Sequence, residues 1–220
     1  MEGEQAPVPL RARHHWSDWV GFTVFGCAVI WGAWRGSGVN VYGLPILILQ
    51  FLYALGYLLR GPARGTLPGL MPRIASYGTA YIMPAFLLVA GRFAPELTRP
   101  ADNVTLKTAG WILGSVSLLF AIRPLWYLRH SFSIEPVART LVTTGPYGFA
   151  RHPIYTSYLF AYLGLLISTP RPAVILMTLV WLVLLRSRIR YEERVLTAAY
   201  PEYADYRARV GMFGPRFWAR

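Results

Sequence analysis

The sequence predicts an all-α, polytopic integral membrane bundle of about six transmembrane spans that closes with a C-terminal helical hairpin. Three observations carry that prediction. Of 220 residues, 55% are hydrophobic and 15% charged, and the mean hydropathy is +0.37, whereas soluble domains run near a quarter charged residues. The apolar residues gather into long blocks of the size a membrane-crossing helix needs, roughly 20 residues for a hydrocarbon core about 30 Å thick. The basic residues behind the formal charge of +12 sit at the ends of those blocks, where long side chains snorkel toward headgroups. Disorder, collagen and a disulfide scaffold are excluded by the same composition. Cys27 has no partner in the chain and reads as a small buried hydrophobe.

The first block, 18–34, follows a head carrying Glu2, Glu4, Arg11, Arg13, His14 and His15. No short apolar region ends there in a small-residue cleavage site, so the block is expected to remain as an anchor. Blocks 41–59, 76–93 and 108–127 supply the next three spans. Gly26, Pro45, Pro84 and Gly114 within them are tolerated because neighbouring helices satisfy freed backbone groups and small residues allow close contact. Two shorter blocks, 154–169 and 172–185, are separated by Pro170 and Arg171 alone, a spacing that suits a tight helical hairpin. No internal repeat is visible. Residues 1–127 therefore form an N-terminal region of spans one to four, and 128–220 a C-terminal part of different character.

Six crossings with an inner N-terminus place Arg11, Arg13, Arg60, Arg64, Arg73, Arg123, Arg129, Arg139, Arg151 and the C-terminal arginines on the inner side. The outer side receives Arg35, Arg92, Arg99, Lys107 and Arg171. The positive-inside bias thus predicts both termini in the cytoplasm of an inner-membrane protein. Trp16, Trp19, Trp34, Trp126 and Trp218 lie near block ends, as in an interfacial aromatic belt. A nucleic-acid partner is not expected: 21 of the 22 basic residues are arginines, and the basic residues cluster toward the ends of the apolar blocks.

Most polar residues able to act on a substrate follow Tyr127. The run GPYGFARHPIY joins a Gly/Pro turn and a basic pair to the start of the hairpin, with Pro153 suited to a first helical turn. Arg151 and His152 stand where a helix start receives an anion, and Tyr147 and Tyr155 offer aromatic faces or hydroxyls. The structural alternative is an interfacial loop held by headgroups. A second group, Arg186, Arg188, Arg190, Glu192, Glu193 and Arg194, continues the last block; Arg188 and Glu192 share a helix face. For Arg186 and Arg194 a snorkelling ring suffices. Glu192 and Glu193 call for a specific partner, because acidic groups at an inner membrane surface face anionic lipid.

The pieces ARTLVTTGPYGFARHPIY, RIRYEERVL and YPEYADYRARV, in that order and spacing, resemble the isoprenylcysteine carboxyl methyltransferase family and its broader relatives, the membrane phospholipid methyltransferases. The resemblance covers roughly 131–215, and the first half adds only apolar spans. It implies an enzyme: an integral membrane methyltransferase dependent on S-adenosyl-L-methionine, with the cofactor on the cytosolic side and a lipid or amphipathic acceptor entering from the bilayer. The cofactor contacts it implies fall on Arg139, Thr140, Leu141, Val142, Tyr147, His152, Pro153, Ile154, Tyr155 and Glu192. Arg188, Glu192 and His152 are the implied catalytic residues, with Arg188 on the acceptor side. Arg190 and Glu193 are alternatives to Arg188 and Glu192. No metal is assigned. Arg139 stands where isoprenylcysteine enzymes often carry histidine, and an upstream glutamine has no counterpart near Phe132.

The chemistry agrees with the resemblance. A sulfonium beside a carboxylate needs acceptors or aromatic faces for one charge and cationic or N–H donors for the other. Glu192, Tyr147 and Tyr155 suit the first, and Arg151, His152 and the helix start suit the second. Two alternatives remain: a nicotinamide-dependent membrane reductase of sterol-reductase type, which shares an RHPxY-bearing half, and a non-catalytic membrane carrier or scaffold. Thr156, Ser157 and Tyr158 stand where such reductases commonly place an acidic residue.

Overall fold

The computed structural model describes residues 43–216 together with Thr23. Apart from Thr23, the first expected span, 18–34, with Cys27, Trp19 and Trp34, lies outside the described residues, as do Trp16 and Trp218. Among the described residues six helices follow in order: α1 Gly43–Leu59, α2 Leu70–Phe93, α3 Val104–Tyr127, α4 Pro153–Ser168, α5 Pro172–Ala199 and α6 Tyr203–Arg209. Three of them, α2, α3 and α5, are long and apolar enough to cross a membrane, and α4 is a shorter apolar helix.

Helix starts follow local chemistry. The α3 start falls at Val104 rather than 108 because the Asn103 side chain accepts a hydrogen bond from the Leu106 N–H, satisfying one donor that a helix start leaves free. Pro153 and Pro172 open α4 and α5 at the first turn, where a missing N–H costs nothing. The α2 start moves forward from 76 to Leu70, and α5 continues past 185 through the Arg/Glu motif to Ala199.

The hairpin differs from the expectation of two tightly packed arms. Its connection is short, but α4 packs chiefly along α3 and α5 along α2. Glycines decide the first pairing: a Cβ on Gly164 of α4 would meet the Gly110 carbonyl and the Gly114 N–H of α3 at 2.6 Å, so the two backbones meet where no side chain stands. Trp181 of α5 fills the gap between the diverging arms. It is buried, stacks on Tyr162 of α4 at 3.9 Å between centroids, and donates its indole N–H to the Thr79 carbonyl of α2 at 3.0 Å.

The fold is not purely helical. Gly65–Thr66 (β1) pairs antiparallel with Val137–Ala138 (β2), too short a pair to leave any alternating pattern in sequence. This clasp ties the loop after α1 to the segment after α3. A second apolar cluster of Ala138, Val195, Tyr200, Tyr203 and Tyr206 seats α6 against the extension of α5. Where such side chains leave water, their burial contributes roughly 1.5–3 kcal/mol each.

Candidate functional site

Three segments that the sequence singled out converge beside that clasp. Glu192 is central. Its Oε1 accepts a hydrogen bond from Arg188 Nε one turn earlier on α5, at 2.9 Å, and another from the Tyr155 hydroxyl of α4, at 2.5 Å. Its Oε2 lies 3.8 Å from His152 Nδ1. The other ring nitrogen, Nε2, is 3.3 Å from Glu193 Oε1. His152 thus sits between two carboxylates, buried, with its ring stacked on Tyr155 at 5.5 Å.

Consecutive glutamates on a helix point about 100° apart, and the structure gives them separate duties. Glu193 pairs with Arg151 at 2.9 Å and faces Arg207 Nε at 3.8 Å. Arg188 Nη1 reaches across to α2, donating to Thr79 Oγ1 at 2.9 Å and to the Ser76 carbonyl at 3.4 Å. Between the alternatives the sequence left open, the geometry joins Arg188 with Glu192, while Arg190 is exposed.

Tyr147 stands on a single turn, Gly145–Gly148, whose first residue has φ of +60°, a left-handed conformation that favours glycine. The Tyr147 hydroxyl points to the Pro124 carbonyl at 3.4 Å, and its own carbonyl accepts from the Tyr206 hydroxyl at 2.6 Å. Burial holds the Tyr147 hydroxyl well above its ordinary pKa, with nearby Glu192 adding to the shift. Arg139 has a structural commitment, donating to the Gly61 carbonyl while its own carbonyl accepts from Tyr200.

Glu192, Arg188, His152, Tyr155, Tyr147 and Arg139 surround one cavity of about 410 Å³, and Glu193 stands outside its lining. Arg139, Thr140, Leu141, Val142, Tyr147, His152, Ile154, Tyr155, Arg188 and Glu192 line it, and Pro153 does not. From that polar end the walls continue over Leu49, Leu87, Leu118 and Leu185 of the apolar helices and include exposed Pro84. The sequence missed several wall residues. Tyr203 and Tyr206 lay inside a motif quoted only as a pattern, three residues apart on one face of α6. Tyr53 of α1 and Thr79 of α2 belong to spans whose sequence suggested no chemistry.

The residues fit a ligand bearing both a cation and a carboxylate. The volume lies in the range of roughly 300–1,000 Å³ common to small-molecule sites. Glu192 with the Tyr147 and Tyr155 rings offers a cation its partners. The Tyr203 hydroxyl is buried with no hydrogen-bond partner among the described residues, a donor left for a ligand or water.

Comparison with known proteins bears directly on this half of the chain. Residues 106–203 match the family model described as phospholipid methyltransferase. That match shows the family resemblance read from the motifs. Among proteins similar to this chain, the cobalt-zinc-cadmium resistance protein CzcN of Cupriavidus metallidurans is 42% identical over 78 residues, 35% of this chain and 36% of that protein. The nickel-cobalt-cadmium resistance protein NccN of Alcaligenes xylosoxydans xylosoxydans is 35% identical over 120 residues, covering 52% of this chain and 54% of the relative. The chain thus spans between about a third and about half the length of these curated relatives.

Proposed function

We propose that this protein is a membrane methyltransferase that uses S-adenosyl-L-methionine and takes a lipid or amphipathic acceptor from the bilayer. One observation carries the reading: a single cavity joins the Glu192, Tyr155 and His152 cluster to the apolar walls of the spans. A polar end suits a soluble cofactor, and an apolar end suits an acceptor with a hydrocarbon body. The family match over 106–203 supports the reaction class.

Bound S-adenosyl-L-methionine supplies an activated methyl group on a sulfonium. The chain's residues hold and align the partners. Glu192 and the Tyr147 and Tyr155 faces stabilise the positive centre, while the segment 139–142, His152 and Ile154 shape the rest of the cofactor end. Pro153 fixes the start of α4 behind them. Arg188 orients Glu192 and offers its remaining donor to the acceptor. A rigid wall of this kind acts by proximity and orientation, an effect reaching roughly 7–11 kcal/mol in well-aligned systems. A carboxylate acceptor needs no base, whereas an amine acceptor gives up its proton to His152, the nearby imidazole. We place the protein in an inner membrane with the site and both termini on the cytoplasmic side.

Calorimetric titration of the full chain in detergent with S-adenosylmethionine, S-adenosylhomocysteine and NADPH tests the reading. Saturable heat with the first two and none with NADPH is expected. Heat with NADPH alone would replace the methyltransferase by a reductase, and heat with none would favour a carrier. Because both relatives are named for metal resistance, lipid extracts from cells grown with and without cobalt and nickel are the acceptor pool to screen for methyl incorporation.

A further inference from the structure

A second pocket, of about 500 Å³, lies behind the ion pairs of Glu193, between the last turn of α6 and the chain that follows it. Arg151, Arg207 and Arg216 line it, with Val210, Gly211 and Met212 on the remaining side. No Asp or Glu is among its lining residues. We propose that this pocket binds a phosphate group, carried by a lipid headgroup or free in solution.

The charge balance argues for an anion. Glu193 is the carboxylate that faces the arginines from behind, and it is shared: Oε1 serves Arg151 at 2.9 Å and His152 at 3.3 Å, and Oε2 reaches Arg207 only at 3.8 Å. Glu193 therefore divides one negative charge between two guanidiniums and His152, while the pocket adds a third guanidinium, Arg216. Arg151 is nine-tenths buried, and its Nε has no hydrogen-bond partner among the described residues. A buried donor in that state is costly unless a ligand or water takes it.

The pocket is also built rather than incidental. The Arg151 and His152 N–H groups donate to the Gly211 and Met212 carbonyls at 2.9 and 3.0 Å, which pins the tail against the start of α4. Arg216 Nη1 donates to the Ala208 carbonyl at 2.6 Å and to the Arg207 carbonyl at 3.5 Å. That bond fixes its guanidinium over the C-terminal end of α6, where a cation is favoured, and leaves its other nitrogens for a ligand. Arg207 is more than half exposed and forms the outer side of the pocket. Three planar forks around one space match the several oxygens of a phosphate better than a single carboxylate. The pocket shares Arg151 with the main cavity and none of its other lining residues, so occupancy of one does not require the other.

Titration of the full chain in nonionic detergent with inorganic phosphate, at ionic strength fixed by chloride, reads the site directly. Saturable binding is expected, weakened about tenfold or more by Arg207→Gln and by Arg216→Gln and unchanged by Arg186→Gln, an exposed control outside the pocket. Arg207→Lys, which keeps the charge and loses the fork, should weaken binding less than Arg207→Gln. A parallel titration with short-chain phosphatidylglycerol below its micelle concentration separates the sources: tighter binding than phosphate assigns a lipid headgroup, and weaker binding assigns the free ion. Absence of saturable binding for both probes, or binding indifferent to Arg207→Gln and Arg216→Gln, would overturn the proposal.

Discussion

Arg188 and Glu192 form a 2.9 Å ion pair across one turn of α5 while Arg188 also holds Thr79 of α2 at 2.9 Å. A guanidinium tied at both ends aims the carboxylate and couples two helices. Arg188→Ala should therefore lower turnover or raise the acceptor KM, with a smaller loss of cofactor affinity than Glu192→Gln. Arg188→Lys should recover little, since an ammonium cannot span both partners in one plane. Steady-state kinetics beside cofactor titration decide it: full turnover in Arg188→Ala removes the role.

Thr79→Val isolates the strut. It leaves the shape of α2 but removes the acceptor of a charge-assisted hydrogen bond, with an expected loss of about 1.5–3 kcal/mol in stability. Denaturant unfolding in detergent measures that loss, and an unchanged midpoint would show that Arg188 finds another partner.

Tyr147→Ala, His152→Ala and Glu192→Gln should each weaken S-adenosylmethionine binding by about an order of magnitude or more, on the basis of a buried hydrogen bond of about 1–3 kcal/mol. Calorimetry on variants that retain their unfolding midpoint is the check. Unchanged affinity in all three would sink the assignment of this cavity.

Gly164→Ala should destabilise the bundle by about 1–3 kcal/mol, because the added Cβ meets the α3 backbone at 2.6 Å and neither helix offers a flexible atom to yield. The same change at Gly148, where a Cβ meets only the Thr143 carbonyl at 3.4 Å, should be much milder. Thermal unfolding of the two variants side by side tests the contrast.

Burial raises the Tyr206 hydroxyl from 10.0 to about 12, with Arg151 opposing the shift. The unfolded chain loses this proton at lower pH than the folded one, so the stabilising contribution is whole below about pH 10 and declines as pH climbs toward 12. Tyr206→Phe should flatten that part of the stability curve while losing the bond to the Tyr147 carbonyl. An alkaline profile unchanged by the substitution would contradict it.

The sequence by itself determined the class of protein and singled out the segments that meet at the candidate site. Apolar blocks of span length and arginines at their ends announce a membrane bundle, because the bilayer imposes length and polarity rules that composition records directly. The His152–Tyr155 and Arg188–Glu192 pieces were legible because each is local, its residues set by spacing on one turn or one helix face. Tertiary structure decided which partners those residues take. The division of labour between Glu192 and Glu193, the reach of Arg188 to Thr79, and the wall made by Tyr203 and Tyr206 all depend on helices distant in sequence. So does the divergence of α4 and α5, which follows from glycine contacts with α3 and from the bulk of Trp181. Periodicity reports which residues share a face, but it carries no record of which other helix that face meets, and the chemistry of this site is made between helices.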